Sequence, residues 1–236
     1  MDQDINYRID YLKEKAINLV DLCDKEITEN VSNEVRNITQ DILTDLNRAL
    51  DIIMFYFYTF KIKPFISEEQ NKKYEKSVFF PVCGEIEELK RTLSKFGCSD
   101  LEKNHYMIFN LIENIQPYRS NEWIRQLRDY SNLGHRKIIG QRKHCETYIS
   151  IEDTVKISDK ANVTFRNCFM NGKAVRDLTV DKGVISGKFD SRLNPKVKTN
   201  IFYLLENSDI NVVWLCQKSL QEIEKLFKEF NNYIKS

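Results

Sequence analysis

One change of period governs what this chain can fold into. For about the first 130 residues apolar side chains recur at gaps of three and four, from about residue 147 to 205 they alternate, and after Val213 the gaps of three and four return. The first spacing lines one face of a helix and the second lines one face of a strand. The expected fold class is therefore α+β: a mainly helical bundle, a small antiparallel β insert, and a C-terminal helix.

The first helical pattern covers residues 4–30, with Ile5, Ile9, Leu12, Ala16, Leu19, Val20, Cys23 and Ile27. The second covers 33–62, with Val35, Ile38, Ile42, Leu46, Ala49, Ile53, Phe57 and Phe60, and Pro64 closes it. Residues 65–84 are mixed, and the polar run Ser67 to Lys76 reads as a short helix or a loop. Ile86, Leu89, Leu93 and Phe96 form a third helix ending near Gly97. Ser99 with Glu102 has capping-box spacing, which predicts a fourth helix running to about Ile115. Gln116-Pro117-Tyr118 breaks it, and Ser120 or Asn121 caps a fifth carrying Trp123, Ile124, Leu127 and Tyr130. In the β region Asn171-Gly172 separates two alternating runs, a strong hairpin signal. Asp181-Lys182-Gly183 marks a second turn, and Ile201 to Leu205 a last strand. Asp209 is the expected N-cap of the final helix, which carries Val213, Cys216, Leu220, Ile223, Phe227, Phe230 and Ile234. The organisation expected is a bundle at 1–145, a β insert at 146–208 and a helix at 209–236 packing on the bundle as one unit.

Composition narrows the function classes. Hydrophobic residues make up 42% and charged residues 30%, a globular balance, and only 7 Gly and 4 Pro interrupt the elements. The net charge of +1 gives no overall signal for nucleic acid, so any such signal must be local. The longest apolar approach, Ile52 to Phe60, is too short to span a bilayer. The N-terminus lacks an apolar signal region, and no pair of the six cysteines has CxxC spacing. Free thiols and a cytoplasmic location are expected, with no membrane partner. His144 beside Cys145 makes neither a metal half-site nor a nucleophile pair, because adjacent residues of an extended segment point oppositely. No metal and no cofactor is expected.

One stretch concentrates chemistry. On a helix Arg128, Asn132 and His135 stand at i, i+4 and i+7, within a sector of roughly 60°. Trp123, Leu127 and Tyr130 fall on another side, toward a core. A histidine exchanges a proton near neutrality, and a guanidinium holds a phosphate with its planar fork. Arg125, Arg128, Arg136, Lys137, Arg142 and Lys143 stand against one acid, Asp129, a local net of about +5. Arg125, Arg136, Lys137, Arg142 and Lys143 are the candidate substrate-binding residues. The same set has a bland use. A histidine after Gly134 caps a helix end, and Arg128 pairs with a nearby carboxylate.

Arg128-Asp129, five further residues and His135 resemble the Rx4–6H motif of HEPN-domain proteins, over the helical part of the chain alone. The resemblance implies a helical bundle whose motifs meet in a cleft at a homodimer interface. It implies a metal-independent endoribonuclease, a hydrolase of toxin–antitoxin or phage-defence type, that cleaves RNA by attack of the 2′-hydroxyl. His135 would be the general acid/base and Arg128 would hold the phosphate; Asn132, from its place on the same helix face, is expected to orient one of them by hydrogen bond. RNA, a second copy and an antitoxin or defence protein are the implied partners. The alternative is a HEPN-like bundle that dimerises or docks a partner without cutting. A solvent-open Arg128 favours the enzyme, and a buried, salt-bridged one favours the binding module.

Overall fold

The computed structural model describes the backbone of residues 2–25, 31–134, 140–151, 155–158, 160–182 and 184–235; the side chains of 2–4, 25, 134, 142, 143, 145–147 and 197–200 lie outside the description. The fold is α+β. The chain divides into a helical unit, residues 1–142 with 203–236, and a β unit, residues 143–202.

Two long helices open the helical unit, α1 (Asp2–Lys25) and α2 (Asn33–Phe57). Ser32 starts α2, its Oγ accepting from the Val35 amide at 3.2 Å. Val35, Ile42, Leu43, Leu46, Ala49, Leu50, Ile53, Met54 and Phe57 are all buried, so α2 packs on more than one side. Its neighbours are α1, α7 (Glu122–Gly134) and α8 (Val212–Lys235). The helical pattern read to residue 62 loosens at its end into a π turn, Tyr58–Ile62, before the 3-10 turn Lys63–Phe65 that holds Pro64. A capping box between Ser67 and Gln70 then starts α3 (Glu68–Tyr74), so the polar run is a helix. The helix α4 (Ile86–Ser94) follows.

The expected helix from Ser99 to Ile115 is in fact two. The short α5 (Leu101–Asn104) has Asp100 at its N-cap position without a side-chain cap, and α6 (Tyr106–Asn114) follows a break at His105. The His105 backbone sits at φ −138°, ψ 50°, and its ring reaches the Tyr233 hydroxyl on α8 at 2.8 Å. A contact 128 residues away thus competes with the local helical pattern. Two other caps also differ from expectation. Asn121 precedes α7, but its amide nitrogen donates back to the Asn114 and Arg119 carbonyls. Asn211, not Asp209, caps α8, its Oδ1 accepting from the Trp214 amide at 2.9 Å. The Tyr203 hydroxyl donates to the Cys23 carbonyl at 3.0 Å, tying the chain's return to the last turns of α1.

The β unit takes in β1 (Gln141–Ile151) from residue 143 and β6 (Lys196–Leu205) to residue 202. Between them lie β2 (Val155–Ser158), β3 (Asn162–Met170), β4 (Lys173–Asp181) and β5 (Val184–Phe189). They form two three-stranded sheets, ordered β2-β1-β6 and β3-β4-β5, where one small sheet was expected. Ile149, Ile151, Ile157, Val175, Leu178, Val180 and Leu193 share one core. Asn171 and Gly172 take the φ values of 47° and 74° that a two-residue hairpin turn needs. Of the second expected turn, Lys182 has φ 45°, and Gly183 lies outside the described residues.

Among the described residues no helix is long and apolar enough to cross a membrane. Cys23, Cys83, Cys98 and Cys216 are buried and Cys168 is half-buried, and no disulfide joins the described cysteines. The Cys145 side chain lies outside the description.

Among the described glycines of the β unit Gly187 is the more constrained. Its φ is +117°, and a Cβ there would lie 2.1 Å from the Asp177 carbonyl oxygen on the neighbouring strand. Gly187→Ala should destabilise the β unit by at least about 1–3 kcal/mol. Hydrogen exchange followed by mass spectrometry should show the loss of protection in β3, β4 and β5; unchanged protection there would contradict the tight approach.

Candidate functional site

α7 buries one side and leaves the other to water. Trp123, Ile124 and Leu127 are buried, and half-buried Tyr130 packs against the same core. That is the division expected from the sequence. Arg128 follows Leu127 and lies at the edge of the buried side, next to α2.

The neighbour that determines its role is a stretch without regular structure. Residues 78–83 belong to no helix or strand, yet the Phe80 side chain is fully buried. Backbone polar groups held in such a place need partners that a ladder would otherwise provide. Side chains provide them. The Phe80 amide donates to Asp51 Oδ1 on α2 at 3.0 Å. The Phe80 carbonyl accepts from Arg128 Nη2 at 2.6 Å. Arg128 Nη2 also lies 3.3 Å from Asp51 Oδ1, which closes the triangle. Gln116, fully buried, works on the same stretch from the other end. Its Nε2 donates to the carbonyls of Pro81 and Ile112, each at 2.9 Å, and its Oε1 accepts from the Cys83 amide at 2.8 Å.

Arg128 is thus part of a clamp that fastens α2, α7 and the 78–83 stretch together. Its side chain is only 20% exposed, against 34% for Asp51. Both bonds use Nη2; among the described residues Nε and Nη1 have no partner. Asp51 offsets the guanidinium charge at close range, which weakens its pull on a further anion.

Of the other expected site residues, the two whose side chains are described, Asn132 and Arg125, do not bond to it. Asn132 is exposed, and its side chain makes no hydrogen bond to Arg128 or to any other described residue, so it does not orient the arginine. Arg125 is exposed and pairs with Glu122 one turn earlier. Asp129 is exposed as well. His135, Arg136 and Lys137 lie outside the described residues, as do the side chains of Arg142 and Lys143, whose backbone belongs to β1. The two described histidines stand elsewhere, His105 against α8 and His144 stacked on Phe202. No cluster of His, Cys, Asp or Glu suited to a metal occurs among the described residues.

Two grooves of the helical unit lie away from Arg128. One of about 520 Å³ runs between α1 and α2, with Ile5, Leu12 and Ile52 below and Tyr7, Arg8, Tyr11 and Asp45 around it. Another of about 520 Å³ lies between α1 and α8, lined by Ala16, Ile17, Val20 and Leu220 with polar Lys13, Asp21, Gln217 and Gln221. Nothing in the local sequence marks Asp51 or Gln116, because their side-chain partners, apart from the Ile112 carbonyl, are 29 to 77 residues away.

If Arg128 is a clamp, truncating it should cost stability. Arg128→Ala should destabilise the helical unit by about 1.5–3 kcal/mol, the range for hydrogen bonds to charged groups. Arg128→Lys should recover part of that. Urea unfolding of the full chain measures both, and an Arg128→Ala variant as stable as the parent would remove the clamp.

Comparison with protein-family models, with curated proteins and with solved structures gives no match to the chain.

Proposed function

We propose that this chain is a non-catalytic, HEPN-like binding module, acting in the cytoplasm as a homodimer or as the dock for a partner such as an antitoxin or defence protein. One observation carries the reading: Arg128 satisfies the Phe80 carbonyl and pairs with Asp51, so the residue the motif needs as a phosphate holder has a structural job. The surface offers places for a partner. Tyr7 is 73% exposed and Ile17 63%, and they flank α1 on its two groove sides. Large apolar side chains left open beside grooves suit protein contact better than catalysis.

The ribonuclease reading rests on a different observation. Nε and Nη1 of Arg128 have no partner among the described residues, and exposed Asn132 lies one turn further along the same helix. An arginine anchored by one nitrogen keeps donors for a phosphate oxygen. His135 would then supply the proton transfer that metal-free cleavage needs, a contribution of about 10²–10⁴-fold in rate.

Incubating purified protein with RNA in EDTA separates the two. The binding module should leave RNA intact while light scattering at micromolar concentration reports a dimer. Cleavage in EDTA that yields 2′,3′-cyclic phosphate ends and disappears in His135→Ala would overturn the proposal and install the enzyme. Intact RNA with a monomeric mass would leave docking of a different protein as the module's role and remove the homodimer.

A further inference from the structure

His105 occupies the junction of α5 and α6 and takes no part in the Arg128 clamp. Its Nδ1 lies 2.8 Å from the hydroxyl of Tyr233, in the last turn of α8. Its ring meets Phe57 of α2 edge-on, at 5.4 Å between centroids and 89° between planes. Phe57 in turn meets Phe230 of α8 at 6.0 Å and 79°. Lys61, from the π turn that ends α2, holds its Nζ 5.5 Å from the centre of the Tyr233 ring. Three segments of the helical unit, α2, the π turn and α8, therefore meet around one half-buried imidazole carried by the α5–α6 junction.

We infer that His105 is a pH-sensitive latch that holds the C-terminal turn of α8 on the helical unit and loosens when the imidazole takes up a proton.

The groups around it set the direction. Neutral His105 with its proton on Nε2 accepts from the Tyr233 hydroxyl through Nδ1. Protonation reverses that bond without removing it: Nδ1–H donates and the phenol oxygen accepts. The cost arises from the charge. The charged or titratable groups facing the ring are Lys61 from the π turn and Tyr233 from α8, while Phe57 offers α2's apolar side. Among the described residues no carboxylate forms an ion pair with His105 to offset a positive ring. The new charge would be half-buried and would face the Lys61 ammonium. Burial, first, and Lys61, second, hold the pKa of His105 below its ordinary value of 6.5. A folded-state pKa below the unfolded one means that the latch stabilises fully above about pH 6.5 and that this contribution is lost as pH falls through the folded pKa.

The test uses the full chain. NMR titration of the histidine Hε1 signals should place His105 below 6.5, and Lys61→Met should move it upward. Hydrogen exchange corrected for intrinsic rates should show residues 228–235 losing protection several-fold at pH 5 relative to pH 7.5, more than the rest of α8. His105→Gln keeps an acceptor for Tyr233 but does not titrate, so it should abolish that pH dependence. Lys61→Met should reduce it, because less repulsion opposes the charged ring. A His105 that titrates at or above 6.5, or a His105→Gln chain whose last turn opens with acid as the parent's does, would overturn the latch.

Discussion

The helical unit is organised by the width of the apolar surface on α2. Ile42, Leu46, Leu50, Met54 and Phe57 are completely buried, and Val35, Leu43, Ala49 and Ile53 are 1% exposed. Side chains spread that far around a helix cannot all be covered by one neighbour, so α1, α7 and α8 each take a share. Burying each of these larger side chains is worth about 1.5–3 kcal/mol before conformational entropy is set against it. Two acids of α2 lie where its neighbours meet it. Asp45 faces Lys15 of α1 at 3.3 Å, and Asp51 faces Arg128 of α7 at 3.3 Å. Ion pairs of this exposure contribute little energy of their own. Their value lies in fixing which helix sits against which side, since apolar contact alone is tolerant of rotation.

The same economy of partners explains the 78–83 stretch. Phe80 fills a core position, but the chain around it joins no sheet, so its amide and carbonyl would be stranded. Asp51 accepts from the one and Arg128 donates to the other, while Gln116 serves Pro81 and Cys83 nearby. A carboxylate, a guanidinium and an amide, groups typical of a reactive site, are here substitutes for a missing hydrogen-bond ladder.

The sequence discloses what depends on near neighbours. The long helices, the change to strands, and the Asn171-Gly172 turn are all local patterns, and α2's start at Ser32 is of the same kind. What stayed hidden is set by contacts across the chain. The break at His105 answers to Tyr233, and the role of Arg128 answers to Phe80 and Asp51. The choice of Asn211 over Asp209 as the α8 cap turns on where the helix begins, a boundary that periodicity leaves open by a residue or two. For the candidate site, helical spacing gives the shared sector of Arg128 and Asn132 on α7 but not their different surroundings, one clamped and one exposed.

A clamp and a catalytic role place opposite demands on one guanidinium. Fixing Arg128 through Nη2 pre-organises it, which favours recognition of an anion because less rotamer entropy is lost on binding. Yet its anchor is itself a carboxylate, and a phosphate brought to the remaining donors would approach Asp51 as well. The gain from rigidity is a matter of side-chain entropy, about 2 kcal/mol at most for an arginine. The repulsion of a second anion grows as water is excluded, which is the condition a cleavage site requires. The closer such a site came to being dry, the more Asp51 would count against it. An arginine paired in this way serves a structure best where no further anion has to come near, and that is the physical reason for proposing a binding module here and not a nuclease.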